Sequence, residues 1–229
     1  MCDFVAPRQE NSTCESALIE NPSKQRRVRT ILVAVALCAT ARPGGAEESR
    51  ALPANAIAAE LRSFVLPGTR PIAIERGDLN GDGREDIVLV LERQKARPGD
   101  DDIEQNQRPM LILVRQADGS LKLAGRNDAV AHCATCGGMM GDPFVGVEVG
   151  TRTFTVSNYG GSAWRWSVDY RFDYSRRDDT WQLVRVAESS FHASDPNKAK
   201  NKVSRPPKDF GKIDFADFDP EKFVGQGKR

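Results

Sequence analysis

The residues Asp78-Leu79-Asn80-Gly81-Asp82-Gly83-Arg84-Glu85-Asp86 form the one stretch of this chain whose side-chain types and spacing state a chemistry. Oxygen donors stand at its first, third, fifth and ninth positions, as Asp78, Asn80, Asp82 and Asp86. Such a set suits a hard cation. Gly83, at the sixth position, lets the chain turn sharply, so that the alternate side chains and the Arg84 carbonyl can converge on one point. Calcium is the expected ion. Three carboxylates this close repel one another without a cation, and magnesium demands stricter octahedral geometry and holds its waters more tightly. The alternative is a turn rich in Asp, Asn and Gly that binds no ion.

Two further segments carry chemistry. Cys133 and Cys136, spaced C-x-x-C, most simply close on each other in an oxidising compartment and pin the loop from His132 to Gly138. A redox motif would need a helix to begin there, and Gly137-Gly138 breaks one. A soft-metal site for copper(I) or zinc could draw on Cys133, Cys136, His132, Met139 and Met140, although a second pair of spaced ligands is missing. In Gly160-Gly161-Ser162-Ala163-Trp164-Arg165-Trp166, the two tryptophans share one face of a strand and Arg165 takes the other. Exposed, the segment could bind a ligand by stacking on sugar rings or aromatic groups. Buried, it is core, with Phe172 and Trp181 as neighbours. No serine, histidine or cysteine stands in a nucleophile elbow or triad context, so no catalytic residue is assigned. A hydrolase would have to find a carboxylate pair among Asp142, Glu148, Asp169 and Asp173, at a separation that spacing along the chain does not give.

The acidic loop is not an EF-hand, because its twelfth position is Leu89, inside the strand-like run Ile87 to Leu91, where an EF-hand has a bidentate Glu and then a helix. With Pro71 to Ile74 entering, it is expected to be a strand-to-strand turn. DLNGDGRED, residues 78 to 86, resembles the calcium loops of FG-GAP and VCBS repeats, matching D-x-N-G-D-G-x-x-D at every liganding position, and the resemblance covers residues 70 to 92. The resemblance implies that Asp78, Asn80, Asp82, the Arg84 carbonyl and Asp86 hold the ion. Those repeats recur to build propeller blades, and here a single copy stands alone, which argues against a full propeller. GGMMGDPF, GGSAWRW and the later PKDFG, in this order, are similar to motifs of a group of secreted bacterial proteins with no assigned activity. That likeness implies export and folding as a unit.

The elements that must position these residues read as mainly β. Ala54 to Phe64, opened by Pro53, has helical spacing of Ile57, Leu61 and Phe64. Four apolar runs follow, at 72–74, 87–91, 110–114 and 121–124, the last two joined by the turn Ala117-Asp118-Gly119-Ser120. The charged stretch from Ala96 to Arg108 reads as a solvated loop. Beyond the cysteines, 144–149, 153–158, 164–174 and 181–187 alternate apolar with polar residues, as half-buried antiparallel strands do. Ala193 to Lys208 reads as a mobile polar stretch. The expected fold is mainly β, with antiparallel sheets arranged like a sandwich or an incomplete propeller and one short N-terminal helix. A leader at 1–46 would be followed by 47–130, carrying the acidic loop, and 131–229, carrying the cysteine loop, the meander and the tail, the two forming one globular unit.

Residues 24–46 read as an export signal: Lys24, Arg26, Arg27 and Arg29, then the apolar Ile31 to Ala39, then small-residue cleavage sites ending at Ala41 or Ala46. The polar residues before it suit a translation start nearer Val28. The apolar core is too short to span a bilayer. Of the five cysteines, Cys2, Cys14 and Cys38 lie in this leader. The whole chain has 33 basic and 32 acidic side chains; five and four of them fall within residues 1–41, so the remainder carries 28 of each. Such a balance has no surplus to neutralise phosphates, which excludes nucleic acid as a natural partner. The expected protein is secreted or periplasmic and binds calcium. Its expected role is binding or scaffolding, without catalysis, toward a cell-envelope protein or a glycan.

Overall fold

In this computed structural model the described residues are 58–93 and 107–226, all within the unit Ala46–Arg229. The leader, and the residues at 54–57 and 96–106, lie outside them. Nine strands form two antiparallel meanders. In the first, β1 (Thr69–Gly77), β2 (Asp86–Arg93), β3 (Arg108–Arg115) and β4 (Leu121–Ala131) lie side by side in chain order. In the second, β5 (Phe144–Gly150), β6 (Thr153–Gly161), β7 (Trp164–Ser175), β8 (Thr180–His192) and β9 (Asp195–Ser204) do the same. The fold is therefore mainly β and sandwich-like, as the alternating runs predicted.

Strand periodicity decides what each face meets. On β2 and β3, Val88, Val90, Met110 and Ile112 point toward the second sheet, where they meet Phe154, Val156, Tyr170 and Phe172. Ile87, Leu89, Leu91, Leu111 and Leu113 point the other way, into a smaller core closed by Leu61, Phe64 and Leu66. Both faces of these strands are covered, which is why their sequences are unbroken apolar runs. The short N-terminal helical segment is a 3-10 helix, Ala59–Phe64, whose Leu61 is buried.

The tail finishes the main core. Phe210, Phe215 and Phe218 are buried against Phe154, Tyr170 and Phe172, with Phe215 edge-on to Phe154 and Phe172. Buried Asn127 of β4 holds this segment: its Nδ2 donates to the carbonyls of Phe215 (2.6 Å) and Phe218 (2.7 Å), and its Oδ1 accepts from the N–H groups of Ala129 and Val130. A short helix, α1 (Pro220–Gln226), follows.

Two expectations need correction. Asp195 to Ser204, within the stretch read as mobile, is the edge strand β9, paired with β8 from Val186↔Ser204 to Ser190↔Lys200. Its alternating lysines hid it, since they mark an edge rather than a buried face. Arg108 is not a solvated loop end. It opens β3 with its side chain fully enclosed.

Candidate functional site

The acidic loop is the connection between β1 and β2, entered from Gly77, which pairs with Asp86. Gly81 (φ 77°) and Gly83 (φ 83°) both take left-handed backbone, which brings the intervening amides round to face Asp78. Asp78 Oδ1 accepts from the N–H groups of Gly81 (2.8 Å) and Asp82 (3.0 Å), and Oδ2 accepts from Gly83 (3.0 Å). Asn80 Oδ1 accepts from Asp82 N–H and its Nδ2 donates to Asp82 Oδ2 at 2.9 Å. The Arg84 guanidinium lies on the same Asp82 oxygen and also donates to the Arg115 carbonyl. Burial acts against Asp82, but hydrogen bonds from Asn80 and Arg84 hold its carboxyl below the ordinary range.

Asp86 differs in kind. It is wholly buried, and its two oxygens accept from Leu79 N–H and Arg115 N–H, each at 2.9 Å, so it stitches the loop to β3. Burial raises its pKa; the backbone donors oppose that shift, and the Asp82 charge adds to it.

The loop also joins the two sheets. The Asp78 carbonyl accepts from Arg152 N–H (2.8 Å) in the β5–β6 turn, and the Leu79 carbonyl accepts from the buried Trp181 Nε1 of β8 (2.8 Å). A Cβ at Gly81 would lie 2.5 Å from Arg152 Cδ, so this glycine is fixed by close approach as well as by its φ. Leu79 itself is core.

The donor set fits calcium in its chemistry: every candidate ligand atom is oxygen, and one cation, the Arg84 guanidinium, already rests on the cluster. Among the described residues, no three His, Cys, Asp or Glu side chains gather as a metal-holding group. The Asp78 and Asp86 oxygens are turned onto N–H groups and those of Asp82 onto Asn80 and Arg84.

Cys133 and Cys136 are joined as a disulfide with Cα atoms 5.2 Å apart. The bond leaves no thiolate for a soft metal, and Met139 is 86% exposed. The disulfide loop docks on the second glycine pair: Gly161 N–H donates to the Gly137 carbonyl at 2.8 Å, and a Cβ at Gly160 would lie 3.0 Å from Gly137 Cα and 2.7 Å from the Trp166 ring. The two segments singled out by sequence thus meet in space. The tryptophans do not stay together. Trp164 is 61% exposed and stands edge-on to His192, while Trp166 is half-buried beside His132, far along β7 from Phe172 and Trp181. Arg165 is half-buried on the face opposite Trp166.

The four carboxylates have different partners. Asp142 makes two parallel bonds of 2.6 Å with the buried Arg108 guanidinium, which also pairs with Glu92 and donates to the His132 carbonyl. Burial disfavours the Arg108 charge, yet Asp142 and Glu92 hold its pKa above the usual value. Asp169 accepts from Ser157 Oγ, Asp173 accepts from Thr153 Oγ1 and Arg171 Nε, and Glu148 is exposed on β5. Sequence reasoning missed Arg108 as the hub that ties the disulfide loop to the first sheet; only a buried environment distinguishes it from a surface arginine.

No family model matches the chain, and no curated protein does. A solved structure of a Xanthomonas type IV secretion system related protein is similar at 16% identity with a TM-score of 0.35, the likeness covering 62% of this chain and 56% of that one. No described helix is long and apolar enough to cross a membrane.

Proposed function

We propose that this chain is a secreted or periplasmic calcium-binding protein with a binding or scaffolding role and no catalysis. The observation that carries the reading is the position of the acidic loop: Asp78, Asn80, Asp82 and Asp86 sit in the turn whose hydrogen bonds reach β3 through the Asp86 carboxylate and the second sheet through the Asp78 and Leu79 carbonyls. Asp78, Asn80, Asp82, the Arg84 carbonyl and Asp86 would hold the ion, as the FG-GAP and VCBS likeness implies. Calcium would neutralise carboxylates now balanced by Arg84 and N–H donors, and would tighten the joint between the sheets. Arg84 is exposed, so its guanidinium can leave Asp82 for solvent at little cost. The Cys133–Cys136 disulfide supports an oxidising compartment. The exposed Trp164 and the disulfide loop supply a surface for a cell-envelope protein or a glycan.

Isothermal titration of the exported protein with calcium tests the reading. One saturable site is expected, lost on Asp82→Ala and weak for magnesium. A protein that takes up no calcium while fully folded overturns it.

A further inference from the structure

At the Trp166 end of the second sheet, side chains of β7, β8 and β9 line a cleft of about 550 Å³. The register sets its floor in two rows: Trp166 beside Ser190 beside Lys200, and Val168 beside Glu188 beside Lys202. His132, from the disulfide loop, closes one side with its ring 5.6 Å from that of Trp166 and 6.3 Å from that of Tyr170. Its Nε2 is shielded from water and has no hydrogen-bond partner. A buried polar atom left in this way costs free energy unless something else satisfies it. Lys202 Nζ lies 3.4 Å from Glu188 Oε2, and among the described residues Lys200 pairs with no carboxylate. The cleft therefore offers an aromatic wall, one uncompensated positive charge and one unsatisfied imidazole nitrogen.

We propose that this cleft binds a small carboxylate-bearing ring, with the ring against Trp166 and the carboxylate on Lys200 and Lys202. The volume suits one or two rings and not a macromolecule. Aromatic side chains take the flat face of a sugar or an aromatic group, and ammonium groups take an anion. An acidic sugar and an aromatic acid share this chemistry. A competing account makes Lys200 and Lys202 guards of an edge strand, which predicts no ligand at all. The cleft lies at the opposite end of the β7–β8 ladder from Trp181, so the inference does not depend on calcium.

The experiment is calorimetric and tryptophan-fluorescence titration of the full chain with glucuronate, glucose and benzoate, on wild type and on a Lys200→Gln, Lys202→Gln variant. Both lysines are exposed, so the variant should melt with the wild type. Saturable binding of glucuronate or benzoate at millimolar concentration is expected, weakened about tenfold or more in the variant, a change of about 1.4 kcal/mol. Tighter binding of glucuronate assigns an acidic sugar, and tighter binding of benzoate an aromatic acid. The proposal is overturned if neither carboxylate binds, if glucose binds as tightly as glucuronate, or if the variant binds as the wild type does.

Discussion

Replacing Asp142 with Asn tests whether the disulfide loop is held by a buried charge. The substitution keeps size and shape but turns one carboxylate oxygen into an amide that faces a guanidinium N–H. One of the two parallel bonds to Arg108 then becomes a contact between donors. Arg108 is fully enclosed and its head has no path to water, although Glu92 remains beside it. Breaking one partner out of a buried ion pair costs about 3–5 kcal/mol. Glu92 still offsets part of the charge and Asp142 is 25% exposed, so the lower end, about 3 kcal/mol, is the expected loss. In a unit of this size that lowers the melting temperature by about 6–12 °C. Scanning calorimetry measures the shift, and urea unfolding checks that the loss is one of stability. Adding Arg108→Met removes the stranded cation, so the double variant should lose less than the sum of the single losses. A single variant that melts within about 1 °C of wild type, where 3 kcal/mol is expected, would refute the reasoning.

Two further outcomes follow from the same contacts. Replacing Cys133 and Cys136 with serine opens a ring of few residues, so the loss should be about 2 kcal/mol or less by chemical denaturation, with calcium uptake unchanged. Asn127→Ala leaves the carbonyls of Phe215 and Phe218 and the N–H groups of Ala129 and Val130 without partners; at about 1 kcal/mol for each bond the loss is about 4 kcal/mol, and proteolysis should release the tail first.

The parts of this fold legible in sequence were those governed by local pattern. β2 and β3 declared themselves as apolar runs because both of their faces are covered, and β5 to β8 alternated because each has one face inward. The oxygen donors of the acidic loop are neighbours in the chain, so their proximity needed no fold to reveal it. β9 escaped because Lys198, Lys200 and Lys202 carry its period of two in charge and not in apolar residues. Arg108 escaped because an arginine is read as solvated until Glu92 and Asp142 are seen around it. The parting of Trp164 from Trp166 turns on where the hairpin ends: the first stands at the strand's opening and the second reaches the cleft. That cleft gathers Trp166, Glu188 and Lys200 by long-range register and His132 by packing of the loop after β4, a meeting that no local pattern announces.

Thermal unfolding with chelator or with millimolar calcium, on wild type and on Asp82→Ala, bears most directly on the claim that the acidic loop is a calcium site. An ion that binds only the folded chain stabilises it by RT ln(1 + [L]/Kd), about 1.4 kcal/mol when free calcium is tenfold above Kd. Extracellular sites of this class bind in the range of roughly 10⁻⁴ to 10⁻³ M, so millimolar calcium should raise the wild-type melting temperature by up to about 3–6 °C. Asp82→Ala should melt near the wild type in chelator, since its pair with Arg84 is exposed, and should not respond to calcium. Superimposable wild-type curves with and without calcium would contradict the account.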